Sequence, residues 1–239
     1  MLAGGCAAAR TEASAPAEAR AENRNERQTH AAAVVADSAR ALRELRKSTP
    51  QQVLDYALTD ARAVIVMPGV YQAGFIYSLR GGEGVLVARR ADGGWSAPAL
   101  MSLGGAGFGY QAGVEKARLV LVISDDAMLE RILDCGLDLS AGAGFDILGV
   151  RQDTTLSNLT EKRPVLAFSD GAGIMAGVAV KGGLLSVNEG LTRAYHGAQA
   201  GDSAAVLKGA DAPGLETFEL WAALTGGLPP KGQRRIIRP

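Results

Sequence analysis

The chain of 239 residues is poor in the side chains that most often carry chemistry. It has two cysteines, Cys6 and Cys135, and two histidines, His30 and His196. Two cysteines cannot make a disulfide framework or a thiolate zinc site alone, and two histidines exclude a histidine-rich metal site. No metal or cofactor is therefore expected. Lys plus Arg and Asp plus Glu balance at 25 each, which removes the basic excess of a general nucleic-acid binder. The longest apolar runs, such as Leu119–Ile123 and Gly171–Val180, fall short of the ~20 residues of a membrane-spanning helix. There is no G-x-x-x-x-G-K-[ST] phosphate loop and no G-x-S-x-G nucleophile elbow.

Glycine is what the chain has in excess: 31 of 239 residues, about twice the usual ~7%. It follows no collagen period and has to be read locally. Residues 1–27 are Ala-, Glu- and Arg-rich and, after Cys6, lack aromatic and branched aliphatic residues. Such a stretch cannot bury enough surface to offset its ordering entropy, so it reads as a disordered tether. Leu2-Ala3-Gly4-Gly5-Cys6 resembles the bacterial lipoprotein signal, in which small residues precede a lipidated Cys; the leucine lies four positions before Cys6 rather than three.

The body, residues 28–228, reads as one domain, followed by a basic tail over 229–239. From Thr29 to Lys47, Ala31, Val35, Ser38, Leu42 and Leu45 recur at helical spacing as one stripe. Arg40, Arg43, Arg46 and Lys47 make this helix strongly basic. Gln51–Ala61 reads as a second helix with Leu54 and Leu58 inward. Ala63–Met67 is a β-branched run closed by Pro68-Gly69. Gly74–Leu79 and Gly84–Arg89 read as strands joined by a hairpin at Arg80-Gly81-Gly82-Glu83, with a second turn at Ala91–Gly94. Trp95–Leu103 follows, then Gly105–Glu115 and Arg118–Ile123 as a further pair joined near Lys116. Ser124-Asp125-Asp126 caps a helix that runs to Cys135. Gly136–Val150 is strand-like, Arg151–Arg163 a polar connection, and Pro164–Phe168, Ile174–Lys181 and Leu184–Asn188 are short strands. Leu215–Leu224 is a last helix. Ala-Gly-Phe recurs at 73–75, 106–108 and 143–145. Gly inside a strand permits sharp coiling or close backbone approach. The expected fold class is α+β: a curved, Gly-rich, mainly antiparallel, barrel-like sheet packed with a few helices and preceded by an N-terminal helix.

No role-set of an active site is complete. Gly107–Ala112 and Gly171–Ala176 fit a relaxed G-x-G-x-x-A pattern, but neither opens a helix whose N-terminus could receive a pyrophosphate. His196, in Tyr195-His196-Gly197, is a candidate base without a recognisable nucleophile. Cys135 reads as inert core at a helix end. Asp125 with Asp126 is explained by capping. Trp95 and Tyr110 fit either core or interface. More suggestive are Arg80, Arg89, Arg90, Lys116, Arg118 and Lys181, at strand ends and turns. Clusters of this size hold anionic headgroups at about 1 kcal/mol per charge near a membrane.

Four segments in order carry a family pattern: Gly82-Glu83-Gly84-Val85-Leu86-Val87, then Trp95-Ser96-Ala97-Pro98, then Gly104-Gly105-Ala106-Gly107-Phe108-Gly109-Tyr110-Gln111-Ala112-Gly113, then Leu119–Ile123. A second block, Gly173–Gly183 followed by Asn188-Glu189 and Tyr195-His196-Gly197, agrees with it. Over about Ser48 to Leu224 the chain resembles the SYLF domain family. It departs at His196, where the family more often has an aromatic, and over Val165–Asp170. The resemblance implies a non-enzymatic phospholipid-binding module, with phosphoinositides bound by eukaryotic members, some of which also bind actin. Bacterial members are often small exported lipoproteins. Arg over Lys, 19 to 6, with abundant Ala fits a GC-rich bacterial gene. Actin binding is not carried over, because a periplasmic protein meets no actin in place. The reading is thus an envelope protein lipidated at Cys6, facing the periplasm, with anionic phospholipid as partner and the six basic residues as lipid-binding candidates. The alternatives are a hydrolase using His196 or a purely structural envelope protein.

Overall fold

The computed structural model describes residues 17–49, 51–74, 77–108, 113–139, 147–150, 164–169, 183–197, 201–209, 211 and 213–227. Cys6, Tyr110, Lys181, the 151–163 connection, the 174–181 strand, the second G-x-G-x-x-A match and the 229–239 tail lie outside the described residues.

Among the described residues eight strands form one sheet: β1 Ala63–Gly74, β2 Tyr77–Ala88, β3 Ala99–Phe108, β4 Gly113–Ile123, β5 Leu137–Asp138, β6 Ile147–Val150, β7 Val165–Ser169 and β8 Leu184–Val187. Their order is β5-β8-β3-β2-β1-β4-β7-β6, and every pair is antiparallel except β6 with β7. The expected α+β class, with an N-terminal helix and a mainly antiparallel Gly-rich sheet, is what the chain adopts. Among the described residues six helices accompany the sheet: α1 Ala17–Ser48, α2 Gln51–Thr59, α3 Asp126–Cys135, α4 Glu189–His196, α5 Ser203–Val206 and α6 Leu215–Leu224.

Both faces of the sheet are covered at one end. On the first face Val64, Val66, Val85, Val87, Leu100, Val120 and Val122 pack with α1, α2, α4 and α6. On the second, Ile65, Met67, Leu86, Met101, Leu119, Leu121 and Ile123 pack with Met128 and Ile132 of α3. Strands buried on both sides need continuous rather than alternating apolar sequence, and Ala63–Met67 and Leu119–Ile123 supply it. The stripe read in α1 is the buried one: Ala31, Val35, Ser38, Leu42 and Leu45 are all inaccessible. Ser38 tolerates this because its hydroxyl donates back to the Val34 carbonyl at 2.7 Å. The helix begins at Ala17, inside the stretch read as a tether, and Ala21–His30 are exposed throughout.

Three local readings are corrected. Arg80–Glu83 is not a hairpin: β2 runs straight through it, with Gly81 opposite Gly104 and Gly82 opposite Leu103. Pro68-Gly69 does not end β1 but makes a bulge, where the register shifts against both neighbours. Proline lacks a ladder donor and is tolerated at such a bulge. The glycines of β2 fit into it, since a Cβ at Gly84 would lie 2.2 Å from the Val66 carbonyl oxygen and one at Gly82 2.5 Å from that of Gly69. Nor are Gly105–Glu115 and Arg118–Ile123 a pair joined near Lys116. Lys116 sits within β4, which pairs with β1 and β7, while β3 pairs with β2 and β8. The chain crosses from one side of the β1–β2 hairpin to the other, which strand periodicity cannot reveal.

The turn at Ala91–Gly94 is as read: Gly93 has φ +80°, and Asp92 accepts from the Gly94 amide at 3.0 Å. Asp125 caps α3, accepting from the Ala127 amide at 2.7 Å, and α6 matches its expected bounds. Helix α4 was not expected, although Asn188 caps it by accepting from the Leu191 amide at 2.9 Å and Leu191 and Tyr195 are buried four residues apart.

Candidate functional site

Each basic candidate among the described residues has a definite place. The Arg89 guanidinium carbon lies over the Trp95 ring, 3.9 Å from its centroid. Arg89 donates to the Leu58 carbonyl at 2.7 Å and the Gly93 carbonyl at 3.2 Å. Burial holds its pKa below the usual guanidinium range. Arg90 is paired with Asp92. Both arginines therefore tie the end of β2 to its turn. Arg80 lies eight positions earlier on the same strand as Ala88, about 26 Å away at ~3.3 Å per residue. The candidates do not form one cluster.

Lys116 and Arg118 are on β4 at alternate positions with Val120 and Val122, so they share the α1-facing side of the sheet. Arg80 alternates with Leu86 and Ala88 and belongs to the other side. Among the described residues the helix layer does not reach the far end of the first side. There Tyr71 is 49% exposed and Leu79 70%, whereas most strand residues under α1 are sealed. Lys116 stands directly across the ladder from Tyr71, with its ammonium 5.1 Å from the ring centroid. Gly69 makes this contact possible: a Cβ there would meet Lys116 Cε at 2.9 Å and Tyr71 Cε2 at 3.0 Å. The bulge thus has two consequences, coiling the hairpin and seating a cation on an exposed aromatic ring. Sequence reading singled out Lys116 but missed Tyr71 and Leu79, because apolar residues in a strand look like core until the covering layer is known.

The basic helix is not a free cationic face. Arg40 pairs with Asp37 at 2.8 Å, Arg43 with Glu219 at 3.2 Å, Arg46 with Asp55 at 2.7 Å and Lys47 with Glu44 at 2.8 Å. Arg46 also donates to the Ala223 and Leu224 carbonyls at 2.6 and 2.9 Å, closing the end of α6.

His196 is a packing residue. Its Nε2–H donates to the Pro98 carbonyl at 2.7 Å, and its ring stands edge-on to Tyr195. Burial lowers its pKa. A base holding a backbone carbonyl rather than a nucleophile is poorly placed for the triad role. Cys135 is exposed, not core, because the α3 stripe of Met128 and Ile132 turns it outward. The motif residues are likewise structural. Trp95 and Trp221 are buried. Ser96 Oγ accepts from the Ala88 amide at 2.9 Å, and the Ser96 carbonyl accepts from Trp221 Nε1–H at 2.8 Å. Asn188 also donates to Ser102 Oγ at 2.9 Å. The first G-x-G-x-x-A match begins in β3 and is followed by β4, not by a helix. Among the described residues no group of three or more His, Cys, Asp or Glu could hold a metal ion, and no helix is long and apolar enough to cross a membrane.

Comparison with known proteins gives one consistent result. The Ysc84 family model, described as "Las17-binding protein actin regulator", matches residues 104–226. The chain is similar to SH3 domain-containing YSC84-like protein 1 of Rattus norvegicus, 29% identical over 168 residues, covering 66% of this chain and 48% of the relative. It is also similar to Protein YSC84 of Saccharomyces cerevisiae, 32% identical over 153 residues, covering 62% of this chain and 32% of the relative. The chain thus spans about half or less of the length of these curated relatives. No solved structure matches it significantly.

Proposed function

The chain belongs to the Ysc84 (SYLF) family, and from that premise we propose that it is a non-enzymatic phospholipid-binding module of the bacterial cell envelope. The family description names a binding protein and regulator rather than an enzyme. In this reading Cys6 carries the lipid anchor on the periplasmic side, and the uncovered end of the sheet meets the bilayer. One observation carries it: Tyr71 and Leu79 project from the face that α1 leaves bare, with Lys116 on the Tyr71 ring. Apolar side chains enter the headgroup boundary while a cation above them attracts anionic lipid. Arg80, on the other side of the same sheet end, adds charge from below. Arg89 and Arg90 hold the β2 turn instead, so they are not contact residues.

Vesicle co-sedimentation tests the proposal. Binding to phosphatidylglycerol vesicles should exceed binding to phosphatidylcholine vesicles and weaken as salt rises. Lys116→Glu removes one attraction and adds one repulsion. At ~1 kcal/mol per charge this is about 2 kcal/mol, or roughly 30-fold in affinity. Equal binding to both vesicle types would refute the proposal. Mass spectrometry of the native N-terminus tests the anchor, and an unmodified Cys6 would remove it.

A further inference from the structure

One row of residues crosses six strands on the α1-facing side of the sheet, beginning with Asp138 of β5 opposite Leu184 of β8. Leu184 of β8 pairs with Gly104 of β3, Gly104 with Gly81 of β2, Gly81 with Tyr71 of β1, and Tyr71 with Lys116 of β4. Residues directly opposite in an antiparallel ladder point to one face. The row therefore has two adjacent positions with no side chain, walled by Tyr71 and Leu184, each 49% exposed. Between the walls are three strand spacings, about 14 Å at ~4.8 Å each. On the same face Leu79, two positions from Gly81, bounds the distal side, and Glu83 bounds the proximal side, held by His30 at 2.6 Å.

Neither glycine is needed for the fold. A Cβ at Gly104 would meet nothing within 4 Å, and one at Gly81 would touch only the Leu103 carbonyl oxygen at 3.9 Å. Neither has positive φ. This is the opposite of Gly82 and Gly84, where backbone stands in the way. An unforced glycine in a strand interior weakens the sheet by roughly 0.5–1 kcal/mol relative to alanine. Such a position often marks a place where something else approaches the backbone closely.

We infer that this bare floor seats one acyl chain of an anionic phospholipid, with its headgroup toward Lys116. The inference rests on the phospholipid reading above and adds to surface attachment a specific seat for one lipid. The floor's chemistry selects the occupant. Gly81 and Gly104 lie in interior strands laddered on both sides, so their amides and carbonyls are committed to neighbours. The floor itself offers a sugar or a nucleobase no uncommitted backbone group, and the polar side chains nearest it, Glu83, Ser102 and Ser186, stand in the next row on the proximal side. What fits is slender and apolar, flanked by Leu79, Leu184 and the Tyr71 ring. Charge sets its direction: Lys116 stands at the β4 end of the row, while the opposite end closes on Asp138 of β5 and the proximal corner holds the Glu83–His30 pair.

Gly81→Val and Gly104→Val test the seat. Both replacements fill the floor with branched methyls at backbone angles that valine adopts freely, so thermal midpoints should hold or rise. The probe is monomeric palmitoyl-lysophosphatidylglycerol, below its micelle concentration, titrated by calorimetry, with phosphatidylglycerol vesicles in parallel. The wild-type chain should bind the monomer, and each valine variant should bind it about tenfold or more weakly while still sedimenting with vesicles. Lys116→Glu should weaken the monomer, with a smaller effect on lysophosphatidylcholine. If the wild type binds vesicles but not the monomer, or if the valine variants bind the monomer as the wild type does, the seat is refuted and surface attachment stands. If the wild type binds neither, both readings fall.

Discussion

Two glycines in one sheet should respond to alanine with opposite signs. At Gly84 the added Cβ would lie 2.2 Å from the Val66 carbonyl oxygen and 2.5 Å from Met67 Sδ. The sulfur can swing away, but the carbonyl belongs to the ladder in which Val66 faces Val85 and Val120. Restoring ordinary contact moves β1 and β2 apart by about 1 Å, into a pair buried on both faces. Overpacking in such a core costs about 1–3 kcal/mol, and each buried backbone group left without its partner about 1–3 kcal/mol more. Gly84→Ala should therefore lose about 3–5 kcal/mol, a large share of the ~5–15 kcal/mol that holds a domain together. At Gly104 nothing obstructs the methyl group, so Gly104→Ala should gain about 0.5–1 kcal/mol by reducing unfolded-state entropy. Urea unfolding followed by far-UV circular dichroism reads both, provided the m-values match the wild type. A loss below about 1 kcal/mol at Gly84, or a loss of any size at Gly104, would refute this division of the glycines.

Two further outcomes follow from the packing. Arg46, 14% exposed, donates to the last carbonyls of α6 and to Asp55. Arg46→Ala should cost about 2–4 kcal/mol in urea unfolding, mostly from the carbonyls because Asp55 is half exposed; Arg46→Lys should recover less than half, since an ammonium cannot span the three acceptors. His196 has its pKa lowered by burial from an ordinary 6.5, so the unfolded chain binds more protons than the folded one at mildly acid pH. Stability should be level above about pH 6.5 and fall as the pH drops toward the folded pKa. His196→Gln should flatten that fall, and an unchanged pH profile in the variant would count against it.

The α1 stripe could be read directly because helical period and burial coincide over Ala31–Leu45. The runs Ala63–Met67 and Leu119–Ile123 could be read as strands because a sheet covered on both faces needs uninterrupted apolar sequence. The cap at Asp125 and the turn at Asp92-Gly93-Gly94 could be read because their hydrogen bonds reach only two or three residues. The β1 bulge could not. Pro68-Gly69 has a turn's composition, and only the glycines of β2 pressed against it make continuing the strand cheaper than stopping. Arg80–Glu83 fails for the same reason from the other side, since its glycines answer a neighbouring strand rather than a local reversal. Cys135 turns outward because Met128 and Ile132 set the buried face of α3.

By itself the sequence determined the class of fold, the buried stripes and the family, because each depends on composition or on short-range order. Tertiary structure alone decided which basic residues are committed to intramolecular contacts, which apolar residues the helices leave bare, and which glycines have backbone against them. Those depend on strand partners, Gly84 against Val66 and Gly81 beside Gly104, and register across a sheet is written in no single strand.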